Sequence, residues 1–146
     1  MNTEKRQTIS VVAAVILHEG RVLAAKRKTG GPSGEMWEFA GGKVEPGEPE
    51  RTALNREILE ELGLIVRVGE EMGTYTTQLG QLNIALKCFG CELIGGNLVL
   101  NAHDEVLWCH PNEMESLQWA PPDIPAVHDV LRSLRNTSKS IPPASP

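Results

Sequence analysis

Residues 42–64 read GKVEPGEPERTALNREILEELGL, and the order of small, acidic and apolar residues in this stretch governs the reading of the chain around it. Pro49 suits a first helical position and Gly63 a left-handed residue just past a helix end, with mostly good helix formers between them. The stretch predicts a helix from about Pro49 to Leu62. At 3.6 residues per turn, Glu57, Glu60 and Glu61 fall within an arc of roughly 100°, while Leu54, Ile58 and Leu62 form an adjoining apolar stripe. One face packs and its neighbour presents carboxylates.

Like charges three and four residues apart repel, and these three sit toward the negative end of the helix dipole, each effect costing a few tenths to about 1 kcal/mol. A hard divalent cation reverses both signs. Clustered carboxylate oxygens are what Mg²⁺ or Mn²⁺ accepts, with water and substrate phosphate completing the coordination. Taken alone, the helix also fits a solvated acidic face.

The flanking residues favour the cation. Gly42, Glu48, Arg56, Glu57, Ile58, Glu60, Glu61, Gly63 and Leu64 stand at the spacing of the Nudix hydrolase signature, which this segment resembles with all nine specified positions filled over 23 residues. The run WEFAGGK at residues 37–43 resembles the lead-in to that box in MutT-type nucleoside triphosphate pyrophosphohydrolases, and further likeness lies in VLWC at 106–109 and APPDIP at 120–125. The resemblance implies an α/β protein with the Nudix fold, an α/β/α sandwich around a mixed β-sheet. It implies hydrolysis of a nucleoside triphosphate to monophosphate and pyrophosphate with Mg²⁺, or Mn²⁺, as cofactor. By the same resemblance Glu57, Glu60 and Glu61 are the catalytic carboxylates and, with the Gly41 carbonyl, the metal ligands. Glu57 is the candidate for activating or orienting water, as base or as ligand. Arg27 matches a substrate-contacting arginine, residues Glu38, Phe39, Ala40 and Gly41 lie beside the nucleotide, and Glu48 and Arg56 hold loop and helix together.

One position departs from that pattern. Where MutT-type enzymes often carry a further loop carboxylate this chain has Ala102, followed by His103, Asp104 and Glu105. Asp104 or Glu105 either substitutes for it or is a solvated loop acid.

Asp123 is the sharpest clue to the base. MutT-type enzymes preferring oxidised guanine nucleotides have asparagine there, which donates and accepts, whereas an ionised aspartate only accepts and so suits an exocyclic amine such as cytosine N4. The surroundings resemble the CTP pyrophosphohydrolase branch of the family. Asp123 is equally a good N-cap for a last helix with Pro125 in its first turn. Phe39 and Trp119 are candidates for stacking on a base, against the commoner fate of large apolar residues in a core.

A chain of 146 residues is one domain's worth. The expected division is a single domain over 1–135 and a Ser/Pro-rich tail, 136–146, expected to be disordered. A net charge of −5 and a pI near 5.4 argue against nonspecific binding to nucleic acid or to membrane surfaces, both polyanionic. The expected partner is a small nucleotide, the expected location the cytoplasm, and the expected assembly a monomer or homodimer. Cys88 and Cys91 form a C-x-x-C without a second pair, and on one strand an offset of three points them to opposite faces, so buried reduced thiols are expected.

Elsewhere, residues 8–17 and 21–25 predict a hairpin around Glu19-Gly20, and 36–39 a short strand. Residues 64–68 and 74–77 predict two strands interrupted by Gly69 and Gly73. Residues 82–93 predict a longer strand, followed by a turn at Gly95-Gly96 and another strand at 98–100. A short strand at 106–109, a short helix from Pro111 and an amphipathic helix at 124–134 complete the set. Two alternatives stand beside nucleoside triphosphate hydrolysis. One is hydrolysis of another nucleoside diphosphate derivative, and the other a noncatalytic nucleotide-binding module, disfavoured because all three box carboxylates are present.

Overall fold

The computed structural model describes residues 6–31 and 34–140, with side chains to residue 135. Its elements are β1 (Gln7–His18), β2 (Arg21–Arg27), β3 (Trp37–Glu38), β4 (Gly41–Lys43), α1 (Glu50–Leu62), β5 (Leu64–Leu79), β6 (Leu82–Gly96), β7 (His103–Cys109), α2 (Pro111–Ser116), a 3₁₀ turn (Pro121–Asp123) and α3 (Ile124–Ser140).

The sheet is mixed. β1 is its axis, parallel to β6 through eleven pairs and antiparallel to β2 and β4, while β2 also carries β3 and β7 and β5 closes the far edge. A strand covered on both faces needs an unbroken apolar run, and residues 11–17 supply it. Alternation then divides the interior in two. Ala13 and Val15 of β1 face a core with Trp37, Phe39, Cys88, Met114, Trp119 and Val127, on the α2/α3 side. Val12, Ala14 and Ile16 face Leu54, Ile58, Leu62 and Phe89, on the α1 side. The layering is thus α/β/α. Cys88 and Cys91 fall in different cores and are both buried and reduced, as their offset predicts.

The β1–β2 hairpin closes through Glu19 and Gly20, both at positive φ, in the manner of a primed turn that suits strand twist. α1 starts one residue later than expected, with Pro49 as its extended N-cap, and ends at Gly63 with φ 69°. Three expectations need correction. β5 is one strand, because Gly69 and Gly73 are absorbed as register shifts against β6, where Arg51 bonds the Val68 and Gly69 carbonyls. Gly95 and Gly96 pair with Ile65 and Leu64 inside the sheet, so no turn falls there, and residues 98–100 run outside any strand. α3 continues to Ser140, past the expected boundary at Asn136, because Asn, Thr and Ser do not stop a helix already propagating and the next proline is Pro142. The rest of the expected tail, 141–146, lies outside the described residues.

Candidate active site

Residues 97–101 do more than connect β6 to β7. The last four carbonyls of a helix lack intrahelical donors, and in α1 every one finds a partner. Gly63 N–H donates to Leu59 O, the Asn101 side-chain amide to Glu60 O at 2.8 Å, Asn101 N–H to Glu61 O and Val99 N–H to Leu62 O. This fixes the turn carrying Glu60 and Glu61 at the helix end least hospitable to negative charge.

On the same helix Arg56 grips Glu48 with two parallel bonds of 2.9 Å and reaches Glu57 Oε1 at 2.9 Å. The fork holds Glu48 below the usual carboxylate range and raises Arg56 further. Gly42 lies so close that a Cβ there would run into the Glu57 carboxylate, and a Cβ on Gly41 would run into the β1 backbone at Val12. Glycine at 41 is therefore demanded by the approach of β4 to the β1 backbone, whereas a side chain at 42 would displace the Glu57 carboxylate.

Glu61 is the anomaly of the helix. Burial first, then the neighbouring charges of Glu57 and Glu38, push its carboxyl up to about 8, although the Gly41 N–H opposes the shift. The Glu57 carboxylate is the nearer of the two charges that raise it, and its Oε1 is buried without a partner. Two adjoining carboxyl groups and an orphaned oxygen form an electrostatic deficit that a divalent cation would fill, so the donor set fits one. Glu60 points elsewhere, toward Arg56 at 3.5 Å, with its side chain 59 % exposed. Among the described residues no three Asp, Glu, His or Cys side chains converge as a finished ligand cluster. Glu57, Glu60 and Glu61 all lie on α1, but the Glu60 carboxylate is held toward Arg56.

Glu61 opens onto a cleft of about 430 Å³ whose walls include Arg27, Glu38, Gly41, Lys43 and His103. Four predicted site residues meet here: Arg27, Glu38, Gly41 and Glu61. Glu38 Oε1 accepts from Arg27 at 2.7 Å and its Oε2 lies 2.8 Å from His103 Nε2. Of the acids that follow Ala102, Asp104 accepts from the Thr29 N–H and hydroxyl, and Glu105 lies 3.9 Å from Lys26. Neither side chain lines the cleft, whereas Ala102 does. His103 has no motif to betray it; its signal was only its place beside Ala102.

Phe39, Ala40 and Trp119 are buried rather than open to the cleft. The rings of Phe39 and Trp119 pack on one another at 5.0 Å and 44°, and the Ala40 carbonyl is taken by Ala14 N–H. Both rings belong to the core on the α2/α3 side, and Trp119 also lines a separate cavity of about 960 Å³ with Met36, Gln118 and Pro121. Asp123 is 5 % exposed and its Oδ2 accepts the Phe39 N–H at 3.0 Å. Among the described residues that is its one side-chain hydrogen bond, made across the fold and not to the first turn of α3. Burial, with Glu38 adding to it, pushes Asp123 up to about 7, against the opposing pull of the Phe39 N–H and Arg27.

A family model for the NUDIX domain matches residues 6–135. The chain belongs to the Nudix family. This Nudix hydrolase is 40 % identical over 117 residues to the CTP pyrophosphohydrolase of Escherichia coli K12, covering 80 % of this chain and 87 % of that protein. It is 34 % identical over 134 residues to a putative 8-oxo-dGTP diphosphatase 2 of Mycobacterium tuberculosis H37Rv, covering 90 % and 94 %. The solution structure of the E. coli ORF135 protein matches with a TM-score of 0.79 at 36 % identity, covering 92 % of this chain and 96 % of that one. A MutT protein from Methanosarcina mazei Go1, at 22 % identity and TM-score 0.78, shares the fold. No helix among the described residues is long and apolar enough to cross a membrane.

Proposed function

We propose that this Nudix hydrolase converts nucleoside triphosphates to monophosphate and pyrophosphate, favouring cytosine nucleotides and modified relatives, with Mg²⁺ or Mn²⁺ as cofactor. The observation that carries the proposal is Glu61, its carboxyl raised by burial and by Glu57 and its Oε1 left without a partner, lining one cleft with Arg27, Lys28 and Lys43. Glu57, Glu61, a rotated Glu60 and the Gly41 carbonyl would hold the cation. When bound, it neutralises phosphate charge and polarises the reacting phosphorus centre. Arg27 supplies a planar guanidinium for phosphate, positioned by Glu38. The names of the relatives support a nucleotide triphosphate or diphosphate substrate, and relatives of both base preferences match.

Asp123 refines the base. Because the Phe39 N–H fixes Oδ2 as an acceptor, Oδ1 is the free half of the carboxylate. Ionised, it accepts from an amino group such as cytosine N4; protonated, it donates. With a carboxyl near 7 both forms are available at neutral pH, which is how one site would serve cytosine nucleotides and, more weakly, an oxidised guanine.

The test is product analysis with Mg²⁺ on CTP, dCTP, 5-methyl-dCTP, 8-oxo-dGTP, a dinucleotide polyphosphate and a nucleotide sugar. Monophosphate plus pyrophosphate, fastest from cytosine nucleotides, is the expected result. Preference for 8-oxo-dGTP would keep the mechanism and remove the amine-acceptor role of Asp123. Turnover confined to the last two compounds would move the enzyme to other diphosphates.

A further inference from the structure

An ion pair at a protein surface is weakly ordered, because two long side chains must give up rotamer freedom to hold one geometry. The pair of Arg27 and Glu38 would be of this kind, with the Arg27 side chain 46 % exposed, were Glu38 not held from behind. Its Oε1 accepts from Arg27 at 2.7 Å, while its Oε2 lies 2.8 Å from Nε2 of His103, whose side chain is 2 % exposed. The sheet brings the three together. β2 runs between β3 and β7, Ala25 pairing with Glu38 and Arg27 with His103, across a register shift between Lys26 and Arg27. An ionised carboxylate accepts only, so the bond to Glu38 places an imidazole hydrogen on Nε2. His103 Nδ1 is buried without a partner, so among the described residues no other side chain competes with Glu38 for the ring.

We propose that His103 is a positioning residue for Arg27: acting through Glu38, it fixes the guanidinium at the cleft in readiness for a nucleotide phosphate. The inference rests on the nucleotide reading of this cleft. Burial sets the direction of the effect. His103 is locked in the sheet, Glu38 has one oxygen for the ring and one for the arginine, and Arg27 is the exposed end of the chain. Arg27 gives only its Nη1 group to Glu38, which leaves its other N–H groups for phosphate. The guanidinium is therefore ordered before the substrate arrives, and less freedom is lost on binding. Without the Nε2 donor, Glu38 Oε2 has no partner in a cleft that also holds Lys28, Lys43 and Glu61, and neither its rotamer nor the place of Arg27 is determined. Because His103 acts on the phosphate-binding arginine, its loss belongs in KM, whereas the chemistry stays with the carboxylates of α1.

The order of the guanidinium can be read directly. In the protein without nucleotide, the Arg27 Nε–Hε signal, assigned by its loss in Arg27→Gln, should show a rigid side chain by nitrogen-15 relaxation. It should stay rigid in His103→Gln, whose amide can replace the Nε2 donor, and become mobile in His103→Leu. Equal order in the wild type and His103→Leu overturns the proposal whatever the substrate proves to be. With the best nucleotide from the panel, His103→Leu should raise KM about tenfold with kcat within about threefold, and His103→Gln should return KM to within about threefold of the wild type. In an Arg27→Gln background His103→Leu should add less than about twofold, because the arginine it positions is gone. A tenfold penalty that persists in that background, a Gln variant no better than Leu, or a loss in kcat alone overturns the proposal. If His103→Leu does not fold, by circular dichroism, His103→Asn takes its place, since its shorter amide stops short of Glu38 and the same rise in KM is expected. If the wild-type protein turns over none of the nucleotides, the hydrolysis reading fails separately, and the Arg27 signal still decides the role of His103.

Discussion

Two acids in this molecule, Glu61 on the α1 side of the sheet and Asp123 beside α3, are both displaced far above ordinary carboxyls, to about 8 and about 7, and burial is the main cause in each. They differ in what surrounds the remaining lone pairs. Glu61 faces other carboxylates and carries a buried oxygen without a donor, so the charged form is penalised by its neighbours as well as by desolvation. Asp123 has a backbone donor on one oxygen and a guanidinium nearby. The first environment asks for a cation, whereas the second tolerates either protonation state. Burial by itself therefore does not assign a role; the neighbours do.

The sharpest way to break the contrast is on the Glu61 side. Glu57→Gln and Glu60→Gln should stay folded, by circular dichroism, and lose turnover by about 100-fold or more. Wild-type-like rates in either would remove that residue from the proposed cation platform, and for Glu60 would mean that its contact with Arg56 is its whole role.

Asp123→Asn should act on choice of base. With its carbonyl kept on the Phe39 N–H, the amide turns a donor toward the base, so kcat/KM for cytosine nucleotides should drop roughly tenfold relative to 8-oxo-dGTP. In the wild type, cytosine preference should grow as pH rises through about 7 and the carboxyl ionises. A preference independent of pH in both proteins would make Asp123 a structural bond alone.

Stability without metal provides the next comparison. Below about 4.5 Glu61 is protonated folded and unfolded; between there and about 8 the folded form keeps a proton that the unfolded chain releases. Its effect is thus to lower stability progressively as pH rises across that window. Melting in EDTA should show a decline toward pH 8 that Glu61→Gln reduces and that added Mg²⁺ offsets in the wild type. No difference between the two proteins at pH 8 would mean that Glu61 carries no such penalty. The smallest effect is expected from Asn101→Ala, about 1 kcal/mol or roughly 3 °C of melting temperature, with weaker cation affinity by Mn²⁺ titration if the last turn of α1 loosens.

Much of the α1 side was legible because its information is local. Pro49, Gly63 and the periodic apolar stripe set the helix, and Glu48, Arg56 and Glu57 lie within a few turns of each other. The rest depends on contacts that sequence spacing does not show. His103 reaches Glu38 across 65 residues, Asp123 reaches Phe39 across 84, and Asn101 closes the helix from 41 residues away. The rotation of Glu60 onto Arg56 was hidden for another reason. Helical geometry gives the direction of a Cα–Cβ bond, not the rotamer of a long side chain that has a cation within reach.

The closing of α1 by residues 97–101 constrains redesign. Those five residues spend three backbone N–H groups and one side-chain amide on the helix and its C-cap glycine, then deliver the chain within two residues to His103. Loop length here acts as a gauge between the α1 and β7 walls of the cleft. Insertions that a free surface connection would absorb should instead pull helix and histidine out of step, so grafting a new substrate preference onto this wall is best done by substitution at fixed length.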